Sequence, residues 1–153
     1  MSLHLLLLLN FALACALTGL IWLVQVVHYP GLMLVGRAEF ARYHLAHTRR
    51  MGYVVAAPMV AELGLALWLA WVAYPEWGAG LALGQLALVA VVWLATFLLA
   101  VPFHNRLAAE GYNYIALDGL TRTNWLRTLA WTTRAALLGW MLLMSDQLAV
   151  TAQ

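Results

Sequence analysis

Four apolar stretches carry most of this chain, at about residues 3–27, 51–74, 80–103 and 124–144. Apolar side chains occupy nearly every face of each stretch, so none has the polar stripe that a soluble helix of that length turns toward water. At 1.5 Å per residue, about 20 helical residues cross the roughly 30 Å hydrocarbon core of a bilayer, and each stretch reaches that length. The pattern predicts an all-α polytopic membrane protein, a single domain over residues 1–153 built as a four-transmembrane-helix bundle. The longest connection is the first, residues 31–50. Within it, Glu39 to Arg50 contain neither Gly nor Pro and predict a short interfacial helix with Phe40, His44 and His47 on one face.

The helix breakers sharpen this outline. Pro30 and Pro102 predict the ends of the first and third spans, and Pro58 predicts a bend in the second, four residues before Glu62. Gly111-Tyr112-Asn113 and Asp118-Gly119 read as turns, and Thr121 to Asn124 offer caps for the fourth helix. The first apolar run lacks a basic leader and continues past Cys15 to Val27, so it reads as a retained span rather than a signal peptide. Cys15 is the only cysteine, which excludes an intrachain disulfide.

Composition agrees with a membrane protein: 65% of residues are hydrophobic and 9% charged. Charge adds an orientation. All eight basic residues are arginines; Arg37, Arg42, Arg49 and Arg50 belong to the first connection or its edge, and Arg106, Arg122, Arg127 and Arg134 follow the third span. The middle connection, Pro75-Glu76-Trp77-Gly78, has none. The positive-inside rule then puts connections one and three in the cytoplasm and both termini outside it. The net charge of +2 comes with no basic, aromatic-interleaved surface, which argues against a nucleic-acid partner.

The candidate chemistry lies in ionisable residues at membrane depth. Glu62 is about eleven residues into the second span and Arg134 about ten residues into the fourth from the same side, so their depths match. A lone charge at mid-membrane costs at least about 2.5 to 3.5 kcal/mol, which predicts that the two pair. The pair reads equally as a structural bridge or as a carboxylate tuned for metal, proton or substrate. Asn124, Arg127, Trp131 and Arg134 share one face of the fourth span, and either arginine suits an anionic group. Glu62, Arg134, Arg127 and Asn124 are therefore the candidate catalytic residues. Arg127, nearer the interface, also reads as a side chain snorkelling to head groups.

Four of the five histidines, His28, His44, His47 and His104, fall at one end of the bundle, with His4 at the other. Three imidazoles and a carboxylate suit iron, zinc or copper, so His28, His47, Glu62 and His104 form the candidate metal set. His28 and His104 end spans one and three and read alternatively as axial ligands to a haem. A third alternative is a transport or accessory subunit using Glu62 and Arg134, with a homo-oligomer supplying the second half of a pathway. Tyr29, Tyr53, Tyr74, Trp77 and Trp125 fit an aromatic belt, whereas Trp22, Trp68, Trp93 and Trp131 lie deeper as packing or pocket lining. Asn10 and Gln85 read as interhelical hydrogen-bond partners.

Four segments, Gln25-Val26-Val27-His28-Tyr29-Pro30, Ala46-His47-Thr48-Arg49-Arg50, Pro102-Phe103-His104-Asn105-Arg106 and the run from Thr123 to Arg134, carry a resemblance to a family of small four-span bacterial integral membrane proteins. More distantly the layout is similar to the anthrone-oxygenase-like membrane family, whose third span ends in a comparable proline, asparagine and arginine stretch. The resemblance implies the bacterial inner membrane and oxidation of a hydrophobic, often phenolic or polycyclic, molecule. With the residues above, the expectation is a metal-dependent membrane oxidoreductase acting on a lipophilic or anionic small molecule.

Overall fold

Two prolines that should stop a helix do not stop it here. In the computed structural model, which describes residues 2–151, π-helical turns at Val24–His28 and Thr96–Ala100 each end two positions before a proline, Pro30 and Pro102. In a regular α-turn the proline ring would strike the carbonyl four residues back. The wider π-turn absorbs that residue and lets the helix continue. Helix α1 therefore runs over Leu3–Leu32, past its expected end, and α3 runs over Trp77–Glu110.

The second helix also departs from expectation. Residues 39–50 do not form a separate interfacial helix but continue without a break into α2, Arg37–Ala73, through Pro58. The uninterrupted run of helix-compatible residues explains the continuity, because nothing between Arg37 and Ala57 breaks the hydrogen-bond ladder. The helical run is interrupted at Gly78, with φ 76° and ψ 166°. That left-handed φ suits glycine, and there the chain folds α3 back on α2. Gln85 on α3 donates to the Ala66 carbonyl on α2 at 2.9 Å, a rung between the two arms of the hairpin.

Helix α4 covers Tyr114–Thr151 and begins earlier than expected. Gly111, at φ 75°, ends α3, and the side-chain oxygen of Asn113 accepts from the Ala116 amide at 3.0 Å. Asn113 is thus the cap, and Asp118-Gly119 is helical rather than a turn. The hydroxyls of Thr121 and Thr123 bond back to the carbonyls of Leu117 and Gly119 inside the helix. Gly119 is needed for a close approach: a Cβ there would fall 2.6 Å from the Phe103 ring.

The described residues are helical apart from their connections, with no strand among them. By length and composition α1, α2 and α3 are apolar enough to cross a membrane. Their outward surfaces carry exposed Val26, Val27, Val60, Leu94 and Leu98, side chains suited to a lipid bilayer. Helix α4 packs against α1 and the α2–α3 hairpin. Its Asn124, Arg127, Thr128 and Arg134 turn inward while Leu126, Leu129 and Leu143 turn outward. Two apolar clusters fill the interior. One, around Leu17, Ile21, Phe40, Leu107, Leu117 and Leu120, surrounds the histidine end. The other, around Leu6, Leu7, Leu69, Leu138 and Met141, fills the far end.

Candidate functional site

The π-turns decide where the polar groups of α1 and α3 point. An added residue in a turn rotates what comes after it, so His28, which closes one π-turn, Tyr29, which follows it, and His104, which follows the other, are all turned toward α2 and α4. Tyr29 is consequently 5% exposed and belongs to the core, not to an aromatic belt. Tyr53 and Trp125 are exposed and keep their expected surface positions. The side chain of Tyr74 lies outside the described residues.

The four histidines assemble as two pairs. His28 Nε2 and His47 Nε2 are 3.1 Å apart, and His44 Nε2 and His104 Nδ1 are also 3.1 Å apart. A ring nitrogen donates only to one that accepts, so each pair requires one donor and one acceptor nitrogen. Phe40 stacks on His44 with ring centroids 5.6 Å apart and planes at 12°, and His44 stacks on His104 at 5.3 Å. His44, absent from the expected ligand set, is 1% exposed and is the partner of His104. The spacing Phe40, His44, His47 on one helical face was the signal that could have placed it there.

Arg127 joins this cluster to α4. Its Nη2 donates to the Tyr29 hydroxyl oxygen at 3.0 Å and to the side-chain oxygen of Asn124. Asn124 in turn donates to Gln25 Oε1 at 2.8 Å, and the Thr128 hydroxyl approaches the same oxygen. Because a guanidinium only donates, the Tyr29 oxygen accepts from it and leaves its own hydrogen for His104 Nε2, 3.4 Å away. His104 Nδ1 then donates to His44 Nε2, which gives one consistent set of hydrogens from Arg127 to His44. Arg127 is therefore buried and bonded inward rather than snorkelling, as the Tyr29 phenol on the facing helix α1 offers an acceptor.

Beside this network lies a cavity of about 180 Å³ between α1, α2, α3 and α4. Its polar wall includes Tyr29, His47, Thr48, His104 and Arg127; the remainder is mostly apolar, with Leu20, Val24, Met51, Val55 and Met59 among its lining. Thr48, Gly52 and Val101 on its rim are exposed on the outer flank of the helices. Trp131 closes the deep end and connects it to a second polar group.

That second group is the expected Glu62–Arg134 pair, at one junction of all four helices. Arg134 Nη1 donates to Glu62 Oε1 at 2.9 Å, and Trp131 Nε1 donates to both carboxylate oxygens, at 3.1 and 2.9 Å. Arg134 Nη2 donates to Asn10 Oδ1 at 2.8 Å and Gln85 Oε1 at 3.2 Å, so Asn10 and Gln85 are the interhelical partners expected of them. Glu62 comes from α2, Asn10 from α1, Gln85 from α3 and Arg134 from α4. Both ions are almost fully enclosed, and among the described residues only the Nε of Arg134 in this group has no acceptor.

The expected four-ligand metal set is not assembled. His28 and His47 meet, but His104 pairs with His44, and Glu62 is held by Trp131 and Arg134 away from all of them. Among the described residues no group of three His, Cys, Asp or Glu side chains could hold one ion. A zinc-type catalytic site takes three protein ligands, and each imidazole pair supplies two. His28 and His104, the alternative axial haem ligands, likewise face different histidines. The sequence put four histidines at one end of the bundle; helix rotation, altered by the two π-turns, decided which met. No protein-family model matches the chain, and no curated protein or solved structure does so either.

Proposed function

We propose that this chain is an integral membrane protein that admits a lipophilic small molecule from the bilayer into the cavity beside the imidazole pairs and holds its polar head at Tyr29, His47, His104 and Arg127. The observation that carries this reading is the composition of the cavity: an apolar trough, open on the flank of the helices, whose wall gathers two imidazoles, a phenol and a guanidinium. Pockets with a few convergent polar groups in an apolar lining are the usual sites for such ligands. All four helices cross the membrane in this reading, α4 turning Asn124, Arg127, Thr128 and Arg134 to the interior and Leu126, Leu129 and Leu143 to lipid. By the positive-inside rule the arginine distribution favours a cytoplasmic histidine end with both termini outside, and the resemblance implies a bacterial inner membrane.

The pocket is suited to proton transfer, since the Tyr29, His104 and His44 hydrogen bonds connect the polar head to further titratable groups. Oxidation of the bound molecule, the activity implied by the resemblance, belongs to this proposal as the reaction class a membrane oxidoreductase would carry out there. No step is assigned to a metal, because the imidazole pairs do not complete a ligand set.

The test uses Gly52 on the cavity rim, where an added Cβ meets nothing within 4 Å. Gly52→Phe should therefore leave the fold intact and obstruct the cavity. Detergent-purified wild type, extracted into organic solvent and examined by mass spectrometry, should release a lipophilic compound near one equivalent that the variant lacks. Equal amounts of that compound from both proteins would sink the reading. Metal analysis and an optical spectrum on the same samples show whether a redox centre accompanies it.

A further inference from the structure

We propose that the molecule held in this cavity is an anion, an amphiphile whose carboxylate or phosphate-type head is bound by the guanidinium of Arg127. The inference rests on the pocket assignment above and adds the charge of the ligand to it.

It starts from the pairing of charges. Among the described residues, Glu39, Glu62, Glu110 and Asp118 pair with Arg42, Arg134, Arg106 and Arg122. No described carboxylate pairs with Arg127, although it is 9% exposed and sits among helices suited to lipid. Its protein partners are neutral: the Tyr29 hydroxyl and the Asn124 amide, both served by Nη2. Among the described residues no group accepts from its Nε or Nη1. These nitrogens are also not among the fully enclosed atoms without partners, and Arg127 lines the cavity.

Arg134 supplies the contrast within the same helix. It lies about two turns away, is buried to a similar degree, and has Glu62 as counter-ion with Asn10 and Gln85 to complete its bonding. A buried cation in an apolar setting is favourable only with a compensating charge or a full set of acceptors. At Arg127 the described residues provide neither, and the missing anion has a cavity to occupy. A planar guanidinium with free N–H groups matches the two oxygens of a carboxylate or phosphate. His47, on the same wall, borders the head-group site, while Met51, Val55 and Met59 accept the first carbons of an alkyl or aryl tail.

The experiment compares twelve-carbon probes that share a tail and differ in head: dodecanoate, dodecyl phosphate, dodecanol and dodecyltrimethylammonium. Binding to wild type, Arg127→Gln and Arg127→Lys is measured in a non-ionic detergent by intrinsic tryptophan fluorescence and by ligand-induced shift of the unfolding temperature. One anionic probe should bind wild type at least about tenfold more tightly than dodecanol, the weight of one charge-assisted hydrogen bond. Arg127→Gln should lose that preference while still binding dodecanol, and Arg127→Lys should retain part of it. A preference for dodecanoate assigns a fatty-acid-like carboxylate; a preference for dodecyl phosphate assigns a phosphate ester such as a lipid head group. Dodecanol binding wild type as tightly as both anions would overturn the anion assignment and leave the pocket standing. Failure of all four probes in wild type would overturn both. Should Arg127→Gln not fold, the ranking of heads in wild type decides the matter.

Discussion

Arg134 donates from Nη1 to Oε1 of Glu62 at 2.9 Å, and the two side chains are 0% and 1% exposed. Removing one partner leaves the other charged and enclosed, an arrangement that costs about 3 to 5 kcal/mol. Glu62→Gln and Arg134→Gln should each lower stability by about that amount. The surface pair Arg106–Glu110, roughly half exposed on both sides, should cost under about 1 kcal/mol when Arg106→Gln breaks it. Thermal unfolding in a mild detergent measures all three. A Glu62→Gln protein as stable as Arg106→Gln would show that the interior pair is not a keystone. The apolar double replacement Glu62→Leu with Arg134→Met should recover much of the loss, since it leaves no unpaired ion.

Gly119 and Phe103 pack so closely that a methyl group has no room. Gly119→Ala should destabilise the protein by about 1 to 3 kcal/mol, the usual range for overpacking, and Gly119→Val by more. Phe103→Leu removes the ring atoms that a new Cβ would meet and should lessen both penalties. Denaturation of the single and double variants checks this; additive losses would mean that Phe103 is not the obstacle.

The Tyr29 hydroxyl accepts from Arg127 and faces His104. Tyr29→Phe retains the ring in the apolar cluster and removes only that oxygen. It should cost about 1 to 3 kcal/mol, the penalty for depriving a buried group of its partner. Tyr29→Leu should cost more, having lost ring packing as well. An unfolding temperature for Tyr29→Phe equal to wild type would place the hydroxyl in contact with solvent or lipid instead.

Orientation in the membrane is tested with cysteines, because Cys15 is the only native one and Cys15→Ser gives a blank background. In intact bacterial cells stripped of the outer membrane, an impermeant maleimide should label Ala79→Cys, beside the Gly78 turn. Gly36→Cys, at the start of α2, should react only after the membrane is opened. The reverse pattern would invert the proposed topology.

Loading tests the imidazole pairs. Each has two nitrogens 3.1 Å apart and no third described ligand, so cobalt(II) should bind weakly and leave with a brief chelator wash. Retention of one equivalent through dialysis against a chelator, lost in His104→Ala, would show that a further ligand completes the site.

Much of the outline was legible in the residues alone. Long apolar runs dictate helices of membrane-spanning length because burial of every face leaves no other stable solution. The matching depth of Glu62 and Arg134 foretold their pairing, since a lone charge there is too costly to persist, and the gathering of four histidines at one end follows from where the apolar runs stop. Which histidine meets which was beyond the reach of that reasoning. It depends on the rotation of each helix, and the π-turns before Pro30 and Pro102 shift that rotation by part of a turn. The separation of Glu62 from the histidines, the inward turn of Tyr29 and the isolation of Arg127 from any described carboxylate are consequences of the same rotations. Sequence thus determined which groups lie at each depth, because the hydrophobic effect reads composition along the helix axis. Tertiary structure alone decided which of them touch, because contact depends on angle about that axis.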